Sequence, residues 1–141
     1  MTKEEFGYYA MLYGCEDLDL DPVEIVLFTG FFMGNPEINA VAKMKDRKIA
    51  IQEDWFNQAS YDEVAIVIFH ELRHFYQQKQ ILEYNEKEKS IIAYTINKWK
   101  NNFKINIVPN GKNNFEYLKQ DIEKDAIDYS YKMKAKFAFI I

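Results

Sequence analysis

The sequence predicts an α+β fold in which a small three-stranded sheet packs on one long buried helix, with further helices around it. Three observations carry this. Short β-branched and aromatic runs cluster between residues 23 and 55, an apolar run with a helical cap follows, and an apolar stripe at spacings of three and four returns near the C-terminus.

The elements follow in order. Thr2 and Glu5 form a Ser/Thr-x-x-Glu capping box, and Phe6, Tyr9, Ala10 and Tyr13 recur at helical spacing, so a first helix is expected up to Gly14. The next stretch, CEDLDLDP, spaces Asp17, Asp19 and Asp21 like the start of a calcium loop. Pro22 stands where that loop needs Gly and Phe28 where it needs Glu, so a solvated connection is expected instead. VEIVLFT suits a strand, with a short helix opened by Asp21-Pro22 as the alternative. After the breaker Gly34-Asn35-Pro36, INAVAKMK and KIAIQEDW read as two strands joined in a hairpin through Asp46-Arg47.

Ser60 with Glu63 is a second capping box, placed directly before VAIVIFHELRHFYQQKQIL. A long helix should start near Tyr61 and, being apolar on nearly every side in its first half, run through the middle of the domain. Asn85 with Glu88 opens a further helix marked by Ile92, Thr95, Trp99 and Phe103, which KINIVPNG ends. The last helix is expected from about Asn113, with Phe115, Leu118, Ile122, Ala126, Tyr129, Met133 and Phe137 as its buried stripe.

A chain of 141 residues suits one domain spanning 1–141, and no repeat or linker divides it. Its hydrophobic share of 48% is that of a folded protein, and a net charge of -4 argues against a broad nucleic-acid-binding surface. The single cysteine, Cys15, excludes internal disulfides and thiolate-rich zinc sites. With no signal-like start and no apolar run long enough to cross a bilayer, a cytoplasmic protein without a membrane partner is expected.

The only two histidines of the chain are His70 and His74, in FHELRHF. Each helical residue turns about 100°, so a step of four returns to within roughly 40° and both imidazoles face one way. Two ring nitrogens on adjacent turns can hold one tetrahedral metal ion, and Glu71, one step round, is placed to act as a general base. Catalytic zinc takes a third protein ligand, and with histidines exhausted it must be a carboxylate. Glu116, Asp121, Glu123, Asp125 and Asp128 lie on the last predicted helix. Glu123, flanked by the Ile122 and Ala126 stripe, is the favoured ligand, and Asp125 the alternative.

With HELRH at 70–74 and EKDA at 123–126, the chain resembles the gluzincin metallopeptidases, most of all the minimal gluzincins and the ImmA/IrrE type of bacterial and phage peptidase. The resemblance implies a zincin-like fold, zinc held by His70, His74 and Glu123, and hydrolysis of a peptide or protein substrate with Glu71 as the catalytic base. It also implies that the strand before the metal helix, KIAIQED, lines the cleft and pairs with extended substrate. Arg73 stands where the HELGH form has Gly. Ile127 stands where E-x-x-A-D has Asp, so support for a ligand histidine falls to Asp125, Asp128 or another group. Tyr129 and Tyr131 are candidates for donating to the oxyanion, and Arg73 and Tyr76 for bordering the cleft. The rival expectation is a zincin-fold binding or regulatory protein without turnover, against which an intact Glu71 argues. For KFAFII at the C-terminus, a final helical turn completing the core is expected in preference to an inhibitory plug in the cleft.

Overall fold

The computed structural model of the chain describes residues 1–84, 91–104 and 120–140, with side chains in the second stretch from residue 94 onward. The order is α1 (Lys3–Leu18), β1 (Glu24–Phe28), a single 3-10 turn (Phe32–Gly34), β2 (Ala40–Lys43), β3 (Lys48–Gln52), α2 (Glu53–Gln58), α3 (Tyr61–Glu83), α4 (Ile91–Lys104) and α5 (Asp121–Ile140). This is an α+β architecture with a three-stranded sheet.

Both predicted helix starts are capped by the expected Thr and Ser. Thr2 accepts from the Glu5 N–H at 3.1 Å, and Ser60 accepts from the Glu63 N–H at 3.1 Å, each satisfying an N–H that the first helical turn leaves without a partner. Helix α1 does not stop at Gly14. It runs on to Leu18 and ends with Asp19 in the left-handed region at φ 54°. Gly14 is a mid-helix glycine because α1 lies hard against α3 there: a Cβ at Gly14 would sit 2.6 Å from Leu72 Cδ1. The acidic stretch is thus partly helical, and Asp17 is not simply solvated, since it accepts from the Tyr129 hydroxyl at 3.0 Å.

The strands pair in the order β1-β3-β2, β1 parallel and β2 antiparallel to β3. In the central strand Ile49, Ala50 and Ile51 are all buried, as suits a strand covered on both faces. The chain then turns at Gln52, whose side chain accepts from the Trp55 N–H at 2.6 Å and starts α2 where the sequence suggested continued strand. Val64, Ile68, Phe69 and Leu72 of α3 form the middle of the core, against Ala10 and Met11 of α1, Ile49 and Ile51 of β3, and Met133 and Phe137 of α5.

The stripe predicted for the last helix is buried at Ile122, Ala126, Tyr129, Met133 and Phe137. That helix begins at Asp121, after a bend at Gln120, and its predicted start at Asn113 with Phe115, Glu116 and Leu118 lies outside the described residues. So do Asn85 with Glu88 and the break at KINIVPNG. In α4, Ile96 and Trp99 are buried and Phe103 half-buried. Of KFAFII, Phe137 packs on Phe6, Tyr13 and Phe69 in the core, whereas Phe139 and Ile140 are exposed and none of residues 136–140 lines the cleft described below.

Candidate metal centre

Helix α3 carries one polar face through an apolar surrounding. Ile66 and Val67 lie one turn before His70, and these residues with Glu71 and His74 form one wall of a cleft of about 510 Å³. The opposite wall is β2 and the segment leading into it, and Phe103 of α4 and the first turn of α5 close one end. The lining is mostly apolar, so the few polar groups in it are aimed at one place.

That place is the Glu123 carboxylate. Its Oε2 lies 2.9 Å from His70 Nε2 and its Oε1 3.2 Å from His74 Nε2. The two imidazoles stand nearly perpendicular, 4.9 Å apart between ring centres. Glu123 is only 4% exposed, and a carboxylate so deeply buried must be paired or bound to a cation. It sits in the first turn of α5, the end of a helix dipole that favours negative charge, and the adjacent Ile122 N–H is capped by Asn102 of α4 at 3.2 Å.

The His74 Nδ1 edge meets Gln77 Oε1 at 2.9 Å. Gln77 Nε2 in turn donates to the Ile122 carbonyl at 2.9 Å and to Asp125 Oδ2 at 2.8 Å. Arg73 closes the chain with two bonds to Asp125, Nε at 2.7 Å and Nη2 at 3.1 Å, and its guanidinium lies over the rings of Tyr76 and Tyr129.

Several expectations are corrected by this geometry. Arg73 and Tyr76 do not line the cleft: Arg73 turns to Asp125 of α5, and the Tyr76 ring stands edge-on to Trp99 of α4 at 6.5 Å. Tyr129 is engaged with Asp17 and Tyr131 is exposed, so neither tyrosine faces the site. Asp125 does not join the histidines and acts through Gln77, Asp128 is exposed, and Asp121 faces Lys98. The strand lining the cleft is β2, not KIAIQED, because β3 is paired on both sides and has no free edge. Gln77 was not foreseen at all. Its signal was present: a polar residue three positions after His74, on the buried face of a helix.

Among the described residues no strand pairs with the outer edge of β2, and its register fixes which groups point outward there. The Gln52 N–H donates to the Asn39 carbonyl at 2.8 Å, so Asn39 and Gln52 form a hydrogen-bonded pair, as do Val41 with Ala50 and Lys43 with Lys48. Ala40 and Ala42 occupy the alternate positions, and their N–H and C=O groups point away from β3. The Ala42 N–H meets the Glu71 carboxylate.

Neither protein-family models, curated proteins nor solved structures match this chain. What the site can hold is decided by its donor set. His70, His74 and Glu123 offer ligand atoms that all lie within 4.8 Å of one another, two imidazole nitrogens and a carboxylate oxygen, and the group could hold a metal ion. No other such group of three occurs among the described residues.

The electrostatics have a consequence that can be measured. Burial lowers the His74 pKa, but the hydrogen bond and charge of Glu123, the Glu71 charge and the Gln77 bond outweigh it and raise the value from 6.5 to about 9. Burial pushes the Glu123 carboxyl up, and the hydrogen bonds and charges of the two histidines reverse this and hold it well below its ordinary 4.5. Burial raises the Glu71 pKa, an effect the nearby histidines and the Ala42 N–H only partly offset.

In metal-free protein the Glu123 contribution is present above pH 4.5 and lost as pH falls through its depressed value. The His74 contribution is present below pH 6.5 and lost as pH rises through about 9. The midpoint of thermal unfolding of metal-free protein should therefore fall between pH 6.5 and 9. A cation on the same atoms replaces the His74 proton, so with zinc added the increment in midpoint should grow with pH over that range. Flat midpoints in both series would contradict this electrostatic description.

Proposed function

We propose that the protein is a zinc-dependent peptidase of the gluzincin type, with a zincin-like fold. The observation that carries this reading is the meeting of the Glu123 carboxylate with both Nε2 atoms, in a cleft that also holds Glu71 and the outer edge of β2, which no other described strand pairs. Two imidazoles and one carboxylate are a donor set that suits zinc and leaves a position for chemistry. Bound there, the ion would supply a Lewis acid that polarises a carbonyl and makes water a better nucleophile.

The chain's own groups supply the rest. The outward N–H and C=O of Ala40 and the outward C=O of Ala42 can pair with an extended peptide, laying a scissile amide along the face of α3. The apolar walls exclude bulk water and accept apolar side chains of the peptide. Glu71, partly exposed to the cleft, takes a proton from the attacking water as the new C–O bond forms and delivers it to the amide nitrogen as the C–N bond breaks. The products are a carboxylate and an amine.

Metal content by mass spectrometry tests this, with untagged wild type compared with His70→Ala and Glu123→Ala. About one zinc per chain in wild type, lost in both variants, is the expected result. Wild-type protein that stays metal-free with zinc supplied at neutral pH would end the peptidase reading.

A further inference from the structure

We infer that Gln77 is a positioning residue for the metal centre, holding the His74 ring so that Nε2 is the ligating atom and bracing the turn of α5 that carries Glu123. This rests on the metal-site reading above and adds a residue to it.

Gln77 is wholly buried, and its amide has one oxygen that accepts and one nitrogen that donates twice. The Ile122 carbonyl can only accept. Asp125 takes two bonds from the Arg73 guanidinium, a group that can only donate, so its oxygens act here as acceptors. Both lie within 2.9 Å of the same Gln77 nitrogen, so the amide has one permitted orientation. Its oxygen must then face His74 Nδ1, and that contact is satisfied only if Nδ1 carries hydrogen. In the neutral ring the lone pair is left on Nε2, the atom that faces Glu123.

The orientation of Gln77 is itself enforced from three helices. Arg73 is held between the rings of Tyr76 and Tyr129 at 4.3 and 4.9 Å, and the Tyr129 hydroxyl is anchored on Asp17 of α1. The amide therefore links His74 on α3 to the backbone at Ile122 beside Glu123, so that one side chain sets the distance between two of the three ligands. Being neutral, it does this without placing another charge against the ion, and the Asp125 charge behind it is compensated by Arg73.

The test uses zinc affinity, measured by chelator competition well below the unfolding temperature of each protein, together with the visible spectrum of the cobalt-loaded form. Gln77→Leu is expected to bind zinc about 10–100-fold more weakly and to change the cobalt spectrum. The double variant Gln77→Glu/Asp125→Asn exchanges amide and carboxylate, so an acceptor again faces Nδ1 and a hydrogen bond between positions 77 and 125 is kept. It should recover most of the lost affinity. Both variants lose the donor to the Ile122 carbonyl, so the difference between them reports the Nδ1 partner together with its anchor at position 125.

Leucine binding zinc as tightly as wild type, or a folded double variant as weak as the leucine one, would overturn the inference. If the leucine variant does not fold, nitrogen NMR of zinc-loaded wild type decides: Nδ1 bearing hydrogen and Nε2 on the metal supports the inference, and the reverse defeats it. Wild type that binds no zinc defeats the metal reading and this inference together, whereas zinc binding indifferent to Gln77 defeats only the inference.

Discussion

Glu71→Gln should leave one zinc per chain in place and lower peptide hydrolysis by about 10²–10⁴-fold, the range associated with a positioned general acid–base group. The substitution is close to isosteric. Its amide oxygen can still accept from the Ala42 N–H, so the cleft wall should not rearrange. What is lost is the ability to take the proton from water and return it to the leaving nitrogen. The pairing of outcomes is what discriminates. A peptidase loses turnover and keeps metal, while a binding protein built on the same site keeps both its metal and its ligand affinity. Hydrolysis by Glu71→Gln at the wild-type rate would remove Glu71 from the mechanism.

Phe69→Ala should be the most destabilising of the single substitutions considered, by about 3–5 kcal/mol, because it empties a fully buried aromatic site. Phe69 lies where α1, α3 and α5 converge, edge-on to Tyr13 at 6.4 Å and to Phe137 at 5.7 Å. It also bounds the approach of α1, since a Cβ on Gly14 would come within 3.1 Å of its ring. The neighbours cannot close the space without shifting α1 or α5, so much of the cavity cost should be realised. In thermal unfolding the midpoint should fall by roughly 10 °C or more. Because Phe69 directly precedes His70, zinc affinity measured on the folded fraction gives a second readout. A fall in midpoint of only a degree or two would show that the core relaxes around the missing ring.

The local features were legible because each is written within one or two helical turns. The capping pairs at Thr2 and Ser60, the long buried helix and the common face of His70 and His74 all depend on spacings shorter than the elements that contain them. Glu123 was reachable by elimination, since with no third histidine the donor had to be a carboxylate, and the apolar stripe showed which acidic residue borders a buried face. Gly14 misled for the opposite reason. Its local preference is to end a helix, and packing against Leu72 and Phe69 overrode that preference.

By itself the sequence determined the capped helix starts at Thr2 and Ser60, the strand-forming runs, the side chains that could hold a metal and the buried stripe of the last helix. The tertiary structure alone decided how these are brought together. Strand order is the clearest case: β2 and β3 are adjacent in the chain and both apolar, and only the pairing of β1 on the far side of β3 leaves β2 as an edge strand among the described residues, with its outward groups at the cleft. The links of Gln77 to Asp125 and of Tyr129 to Asp17 span 48 and 112 residues. No periodicity encodes such contacts. They exist because polar groups buried between three packed helices must find partners, and the partners are whichever side chains the packing delivers.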